Sequence, residues 1–316
     1  MEESVSVIIP VHNEEGTLTE IVDRLSRTLS NQNNINPEII IADDGSTDNT
    51  YDLALKIREM SKIVRVEHHS VRKGKTEAIL TAYRKSIGGV IVIIDGDLQY
   101  APEDLPKLLQ PILIGEKDLV NGRKLRRHDP VSRRISSRVY NWMIRKLFDV
   151  EVFDNNSGFK CIRREAIEAI LPQLRSDFHR FLIPLAKYNG FRIMEVAVQS
   201  LPRKLGKSKY ANPMRLLTGM LDLITLKATL TFSNRPTLFF MIPGSIMELL
   251  GIVSGIDLII LKFLYGESLS NHLPLLSLTL LLIISGILLF ALGFLASMIA
   301  ILNAEVRELF KSHRSG

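Results

Sequence analysis

The stretch Asp95-Gly96-Asp97-Leu98-Gln99 directly follows the apolar run 89–94, whose letters are GVIVII. A run this short and this rich in β-branched residues predicts a buried strand of a parallel sheet. Open α/β sheets bind ligands at the carboxyl ends of their strands, which is where these two carboxylates would lie. Hard oxygen ligands suit Mg²⁺ or Mn²⁺, which can in turn bind a diphosphate. An Asp-x-Asp pair is also typical of a solvated turn, so other segments must decide between the two.

Strands and helices alternate through the first hundred residues. Apolar segments at 4–10, 38–42 and 64–67 predict three more strands, and the segments between them predict helices. This alternation indicates an α/β domain with a Rossmann-like, mostly parallel sheet and helices on both faces. No Gly-x-Gly-x-x-Gly follows the first strand, and no Gly-x-x-x-x-Gly-Lys-Ser/Thr occurs. A dinucleotide site and a P-loop enzyme are therefore disfavoured.

Carboxylates follow other predicted strands as well. Glu14 comes after the first strand, and Asp43 and Asp44 come after the second. A carboxylate beside the second strand can accept hydrogen bonds from a nucleobase N–H or from ribose hydroxyls. Asp95 and Asp97, with Gln99 adding a neutral oxygen, can hold a metal ion. Asp48 is left out of the site because it suits the cap of the next helix.

The C-terminal third has a different composition. Of 316 residues, 40 are Lys or Arg and 34 are Asp or Glu, which gives a net charge of +6. The stretch 273–302 contains no charged residue and is long enough to span a bilayer. The stretch 237–264 is a second candidate span, although Glu248 and Asp257 lie in it and would face a neighbouring helix or pair within an oligomer.

The residues flanking these spans predict the topology. Two spans make a hairpin whose connecting loop, 265–272, has no Lys or Arg, whereas Lys227, Arg235, Arg307 and Lys311 flank the pair. The positive-inside rule then predicts that both termini and the whole soluble domain lie in the cytoplasm. Residues 213–232 are apolar on most faces and predict one or two helices at the membrane interface.

The segment 123–138 is densely cationic. It could be a plain solvated face, a nucleic-acid surface, or a binding site for lipid headgroups or a lipid phosphate. Nucleic-acid binding needs aromatic stacking platforms, and only Tyr140 and Trp142 lie nearby, so we expect no nucleic-acid partner. A lipid phosphate fits best for a chain held at a membrane, because arginine binds phosphate with two hydrogen bonds.

Other residues carry weaker signals. The spacing of His68, His69 and His128 matches no tetrahedral metal site. Cys161, the only cysteine, lies in an apolar stretch and is expected in the core. Asp154 is a second acidic candidate, or else a residue that orders the turn before Ser157-Gly158.

Taken together, these segments resemble the inverting nucleotide-sugar glycosyltransferases of family 2, and within them the polyprenyl-phosphate enzymes of the dolichyl-phosphate mannose synthase and bactoprenol glucosyltransferase type. The matching segments run in the family's order through the soluble part. They are residues 10–14 (PVHNE), 43–46 (DDGS), 95–99 (DGDLQ), 122–123 (GR), 157–160 (SGFK) and 203–210 (RKLGKSKY).

The resemblance implies a glycosyltransferase A fold and a role for each matching position. Pro10, Glu14, Asp43, Asp44 and Asp95 would line the nucleotide site. Asp95, Asp97 and Gln99 would hold Mg²⁺ or Mn²⁺. Arg123, Arg133 and Ser137 would bind the acceptor phosphate, and Arg203 and Lys209 would close over the diphosphate. Asp97, Arg123 and Lys209 would be the catalytic residues.

The implied function is transfer of a hexose, with inversion, from a nucleotide sugar to polyprenyl or dolichyl phosphate. A UDP-hexose is favoured and GDP-mannose is close behind. The expected organisation is a cytoplasmic catalytic domain at 1–211, interface helices at 212–236, two membrane helices at 237–303 and a cytoplasmic tail at 304–316, in a homo-oligomer at the cell membrane. The alternatives are a processive polysaccharide synthase and a non-catalytic membrane scaffold.

Overall fold

A computed structural model describes residues 2–125, 131–171, 178–202, 214–234 and 236–312. The chain forms two compact units, Met1–Met220 and Leu221–Gly316.

The first unit is built on a seven-stranded sheet in the order β3-β2-β1-β4-β6-β5-β7. Strands β1 to β4 are parallel to one another, β6 runs antiparallel to both of its neighbours, and β5 is parallel to β7. The sheet is therefore mixed but mostly parallel, as expected. The strands are β1 (Glu3–Val11), β2 (Ile35–Asp43), β3 (Val64–His68), β4 (Val90–Ile94), β5 (Leu119–Lys124), β6 (Phe159–Arg163) and β7 (Ile193–Val198).

Helices connect most of the strands, and three longer helices end the chain. They are α1 (Leu18–Ser30), α2 (Thr50–Met60), α3 (Lys75–Lys85), α4 (Leu105–Leu113), α5 (Val131–Phe148), α6 (Arg164–Ile170), α7 (Phe178–Tyr188), α8 (Met214–Asn234), α9 (Pro236–Phe263) and α10 (Leu273–Ser312). The segment predicted to form one or two interface helices is the single helix α8.

The core of the first unit lies between the sheet and its helices. All five residues of β4 are buried, which explains its continuous apolar sequence. Helix α1 packs its apolar face, including Ile21 and Leu25, into the same core. Cys161 of β6 is fully buried there, in agreement with the prediction. Burial raises the pKa of its thiol well above the ordinary value, so the thiol stays protonated.

A buried carboxylate links the strands on one side of the sheet. Glu38 of β2 accepts hydrogen bonds from Ser6 Oγ (2.5 Å), from Arg65 Nη1 (3.1 Å) and from the main-chain N–H of Ile87 (2.8 Å). Burial raises the pKa of Glu38, but these hydrogen bonds outweigh it, so the pKa lies below its ordinary value. The carboxylate therefore holds β1, β2, β3 and the segment before β4 together.

In the second unit, α9 packs along α10. Glycines permit the close approach: an added Cβ at Gly251 would lie 2.7 Å from Ile283, and one at Gly286 would lie 2.5 Å from Glu248 Cγ. The side chain of Glu248 therefore packs against α10, one of the two placements expected for it. Within the described part of the chain, one helical stretch, Leu269–Leu302, is long and apolar enough to cross a membrane.

The linking role of Glu38 generates a prediction for Glu38→Gln in the full-length protein. We expect the variant to be about 1–3 kcal/mol less stable at neutral pH, because charge-assisted hydrogen bonds are lost. Because the folded-state pKa is lowered, this difference is fully present above the ordinary pKa of 4.5 and shrinks as the pH falls below it. Thermal unfolding in detergent between pH 7 and pH 3.5 measures the difference. Glu59→Gln, at an exposed position of α2, is the control, and a pH-independent difference would contradict the assignment.

Candidate active site at the carboxyl edge of the sheet

The candidate site lies where the order of the strands reverses. The chain passes from β1 outward to β2 and β3, and then returns to place β4 on the other side of β1. The loops that leave β1 and β4 therefore diverge and open a crevice at the carboxyl ends of these two strands. Open α/β sheets bind their ligands in such a crevice. Glu14 and the Asp95/Asp97 pair follow these two strands, as predicted.

The loops after β1 and β2 are bonded to each other. Asn13 adopts a positive φ of 58°, and its side-chain oxygen accepts a hydrogen bond from the N–H of Thr47 (2.8 Å). The N–H of Asn13 donates to Ser46 Oγ (2.9 Å), and that of Glu14 donates to Thr50 Oγ1 (2.8 Å). Pro10 is buried in β1 beside these loops. The loops after β1 and β2 therefore form a rim that hydrogen bonds hold in place, and the predicted nucleoside-binding residues Pro10 and Glu14 lie on it.

Asp43 and Asp44 are both buried, and each has a different set of partners. Asp43 accepts hydrogen bonds from the hydroxyl and the N–H of Ser46, and its Oδ2 lies 2.7 Å from His68 Nδ1. Asp44 accepts from the main-chain N–H groups of Lys73 (2.8 Å) and Gly74 (2.8 Å). Asp44 therefore holds the turn that precedes α3 against the carboxyl end of β2.

Asp95 is enclosed by two neighbours. Its N–H donates to the carbonyl of Gly158 (3.1 Å), and a Cβ added at Gly158 would lie 2.1 Å from Asp95 Oδ2. Only glycine leaves room for the carboxylate at this position. On its other oxygen, Asp95 Oδ1 receives a hydrogen bond from Lys75 Nζ at 2.5 Å. Gly158 is itself held by Tyr100, whose hydroxyl accepts from the Gly158 N–H (2.8 Å).

The turn after Asp95 has a strained main chain. Leu98 adopts a positive φ of 53°, which costs a non-glycine residue about 1–2 kcal/mol. Its side chain is buried in the core, which stabilises the turn. Asp97 Oδ1 accepts a hydrogen bond from the N–H of Gln99 (3.2 Å), so the carboxylate is held beside its own loop.

Gln99 does not stand beside the two carboxylates as a ready ligand. Its side-chain oxygen accepts a hydrogen bond from Lys124 Nζ (2.7 Å), and this ammonium lies 4.3 Å from the centre of the Tyr100 ring. Gln99 would have to leave Lys124 to bind a metal ion, so its predicted role as a ligand remains a prediction.

The donor set fits a hard divalent cation. Asp95 and Asp97 supply carboxylate oxygens at a half-exposed edge, while no group of three His, Cys, Asp or Glu side chains suited to a metal occurs among the described residues. Mg²⁺ is commonly bound by one or two carboxylates together with substrate phosphates. The two aspartates would hold such an ion more tightly when a diphosphate completes its coordination.

Cationic side chains lie at the carboxyl end of β5. Arg123 Nη1 lies 3.7 Å from Glu195 Oε2, and its guanidinium lies 5.3 Å from the centre of the exposed Phe153 ring. Glu195 also accepts hydrogen bonds from the N–H groups of Phe153 (3.1 Å) and Asp154 (2.9 Å). Glu195 therefore ties Arg123 to the 153–154 loop.

Lys160 is buried beneath this loop, and its ammonium donates to the carbonyl of Ser157. Burial lowers its pKa to about 7, and the charge of Lys75 acts in the same direction, while Asp154, Asp95 and Glu195 oppose the shift. The carboxylate of Asp154 is thus part of the electrostatic environment of the site, in addition to the turn that its carbonyl forms with the N–H of Ser157.

Several predicted residues cannot be placed. Arg203 and Lys209 lie outside the described residues, and so does the side chain of Arg133. Ser137 lies on α5, where its hydroxyl accepts a hydrogen bond from Asn141 Nδ2 (3.3 Å).

Sequence reasoning missed Lys75, Glu195 and a role for Lys160. Lys75 belongs to the cationic run 72–75, and Lys160 ends the SGFK segment. Both could have been noticed, since each lies beside a glycine turn. Glu195 has no local signal, because it is one acidic residue in an alternating strand.

The contact between Gly158 and Asp95 generates a prediction for Gly158→Ala. The main chain at this position does not adopt a positive φ, so alanine suits the backbone, but its Cβ would displace the carboxylate. We expect Mn²⁺ affinity, measured by electron paramagnetic resonance in the presence of UDP and of GDP, to fall by about 10–100-fold. Gly89→Ala is the control, because its Cβ would meet the flexible side chain of Glu3. Unchanged Mn²⁺ affinity in folded Gly158→Ala would show that Asp95 does not hold the ion.

Comparison with known proteins agrees with this geometry. Residues 6–171 match the family model of glycosyl transferase family 2. The undecaprenyl-phosphate 4-deoxy-4-formamido-L-arabinose transferase of Pseudomonas aeruginosa PAO1 is 31% identical over 308 residues, covering 96% of this chain and 87% of the relative. The enzyme of that name from Yersinia pestis Pestoides F is 32% identical over 266 residues, covering 83% and 77%.

The fold is also found among solved structures. Glucosyl-3-phosphoglycerate synthase of Mycobacterium tuberculosis, crystallised with Mn²⁺, UDP-glucose and phosphoglyceric acid, aligns with a TM-score of 0.53 and 22% identity, covering 72% of this chain and 79% of that one. At this identity the likeness supports the glycosyltransferase A fold alone. The match of the family model over more than half of the chain, together with relatives aligned along nearly its whole length, shows that this protein is a glycosyltransferase that belongs to family 2.

Proposed function

We propose that the protein transfers one sugar from a nucleotide sugar to the phosphate of a polyprenyl lipid, with inversion at the anomeric carbon. The observation that carries this proposal is the similarity to undecaprenyl-phosphate transferases over 96% of the chain, which includes the apolar C-terminal helices as well as the catalytic domain. The geometry supports it, because the carboxylate pair and Arg123 lie at the same edge of the sheet, the carboxyl edge at which the strand order reverses between β1 and β4.

The charge of the acceptor phosphate determines what the site must do. A phosphomonoester has a second pKa of about 6 and is largely dianionic at neutral pH, so it is a nucleophile without a strong general base. The protein must then position two anionic substrates and offset their charge. We propose that Arg123, which lies near Glu195 and the Phe153 ring, binds the acceptor phosphate. We propose that Arg133, Ser137, Arg203 and Lys209 complete the two phosphate sites.

The donor would lie with its nucleoside on the rim formed by the loops after β1 and β2. Asp44 Oδ2 accepts one main-chain N–H, from Gly74, and Arg72 Nε lies 3.9 Å from the same oxygen, beyond hydrogen-bond distance. An oxygen of a carboxylate can accept a second donor. A nucleobase N–H or a ribose hydroxyl could use this capacity. When Mg²⁺ or Mn²⁺ is bound by Asp95 and Asp97, it offsets the charge on the leaving nucleoside diphosphate. An oxygen of the acceptor phosphate attacks the anomeric carbon on the side opposite to that leaving group, which inverts the anomeric centre.

The C-terminal helices would place the site at its lipid substrate. We propose that α10 crosses the bilayer and that α9 crosses beside it, with the acidic Glu248 packed against α10 and therefore shielded from lipid. The absence of Lys and Arg from the connecting loop 265–272 and the basic flanks favour a cytoplasmic catalytic domain. Asp257 is exposed on this helix pair, which favours a further partner helix, as in a homo-oligomer.

Two donors are supported on different grounds. A UDP-hexose, with GDP-mannose close behind, is favoured by the two membrane spans that we propose. A nucleotide-activated 4-deoxy-4-formamido-L-arabinose is favoured by the named relatives. Transfer assays with a panel of labelled donors distinguish these two possibilities. The processive-synthase alternative predicts products with several sugars, and the scaffold alternative predicts no product.

The proposed sugar transfer is tested by an assay that contains full-length protein in detergent, Mg²⁺ or Mn²⁺, and undecaprenyl or dolichyl phosphate. We expect one labelled donor among UDP-glucose, UDP-N-acetylglucosamine, GDP-mannose and the formamido-arabinose donor to give an organic-soluble lipid that carries a single acid-labile sugar. Asp97→Asn should lower the rate by about 100-fold or more, since charge stabilisation in the site is lost.

Asp52→Asn, at an exposed position of α2, is the matched control and should retain full activity. Equal losses in both variants would contradict the role of Asp97. Absence of product from every donor, with folded protein and both lipids present, would contradict the proposed function.

A further inference from the structure

Lys75 occupies an unusual position for a lysine. It is the first residue of α3, and its ammonium lies 2.5 Å from Asp95 Oδ1. The amino end of a helix carries partial positive charge, which favours acidic side chains and disfavours a lysine there. The ion pair with Asp95 offsets this cost. Each of the two side chains is 29% exposed, so the pair is only partly screened by solvent.

The main chain leading to Lys75 is fixed from the nucleoside side of the site. The N–H groups of Lys73 and Gly74 both donate to the buried carboxylate of Asp44. Two residues of the candidate site are thereby linked through one short turn: Asp44 sets the position of the turn, and the turn sets the position of the Lys75 ammonium on Asp95. Events at the nucleoside rim and at the carboxylate pair are physically connected.

The Lys75 ammonium is bonded to Oδ1 of Asp95, an oxygen that a divalent cation would use. Gly158 fills the space against Asp95 Oδ2, and Lys75 covers Oδ1. A metal ion that binds Asp95 must therefore displace or share this contact. A displaced lysine, with its flexible stem and three N–H donors, remains at the same edge of the sheet and can bind diphosphate oxygens there.

We infer that Lys75 is an internal counter-cation of Asp95, which holds the carboxylate in the absence of substrate and moves to the donor diphosphate when a divalent cation arrives with it. This rests on the proposed function for the existence of that donor. The cation and the diphosphate bring opposite charges, so their joint entry changes the local charge little, whereas entry of the cation alone must overcome the ion pair. Metal and nucleotide should therefore bind cooperatively.

The test measures Mn²⁺ binding to the full-length protein in detergent by electron paramagnetic resonance, with and without UDP or GDP. In Lys75→Met we expect Mn²⁺ alone to bind about tenfold tighter than in wild type, because a competing cation is removed. The tightening of Mn²⁺ binding by nucleotide should shrink at the same time. Neither readout requires a lipid acceptor or a sugar, so a failure of transfer remains distinguishable from a failure of this inference.

Two variants keep the result interpretable. Lys56→Met removes an exposed lysine of α2, away from the site, and should leave both quantities unchanged. Lys75→Arg keeps the charge and should retain weak Mn²⁺ binding in the absence of nucleotide, so that a change in Lys75→Met is assigned to the lost charge. Mn²⁺ binding that is unchanged or weaker in folded Lys75→Met, or the same response in Lys56→Met, would overturn the inference.

Discussion

The contact of the Asp95 carboxylate with the main chain of Gly158 is the constraint on which the rest of the site depends. It exists because β6 enters the sheet between β4 and β5 in the opposite direction, so the turn before β6 lies beside the end of β4. The same turn is bonded to β5, since Ser157 Oγ donates to the carbonyl of Gly122 (2.5 Å). One reversed strand thus joins the predicted metal pair to the strand that carries Arg123.

Buried carboxylates hold the loops of this site in place. Asp44 accepts main-chain N–H groups from the turn before α3, and Glu195 accepts them from the 153–154 loop. A carboxylate can accept several hydrogen bonds at once, which makes it an efficient link between a strand end and a neighbouring loop. The consequence is a crevice whose position is set by the core of the sheet, although its lining consists largely of loop residues.

The parts of this arrangement that depend on local sequence could be predicted. The β-branched run before Asp95 predicts a buried strand, which is β4. The alternation of strands and helices predicts a mostly parallel sheet and therefore places Asp95 at the carboxyl edge of that sheet. The uncharged stretch 273–302 predicts a membrane-spanning helix in the same way, and it lies within a helical stretch that is long and apolar enough to cross a membrane. The reversed direction of β6 could not be predicted, because its five residues, FKCIR, do not indicate which way the strand runs in the sheet. The contacts of Lys75 and Glu195 join residues distant in sequence, so no local pattern contains them.

We propose that the crevice between β1 and β4 binds the donor diphosphate through a metal ion on Asp95 and Asp97. A structure of the full-length protein with Mn²⁺ and the nucleoside diphosphate of its donor, with the ion located by its anomalous scattering, would test this binding mode. We expect the Mn²⁺ peak between the Asp97 carboxylate and the diphosphate, with Lys75 no longer paired with Asp95. An ion or a nucleotide bound elsewhere, with Lys75 still on Asp95, would contradict it.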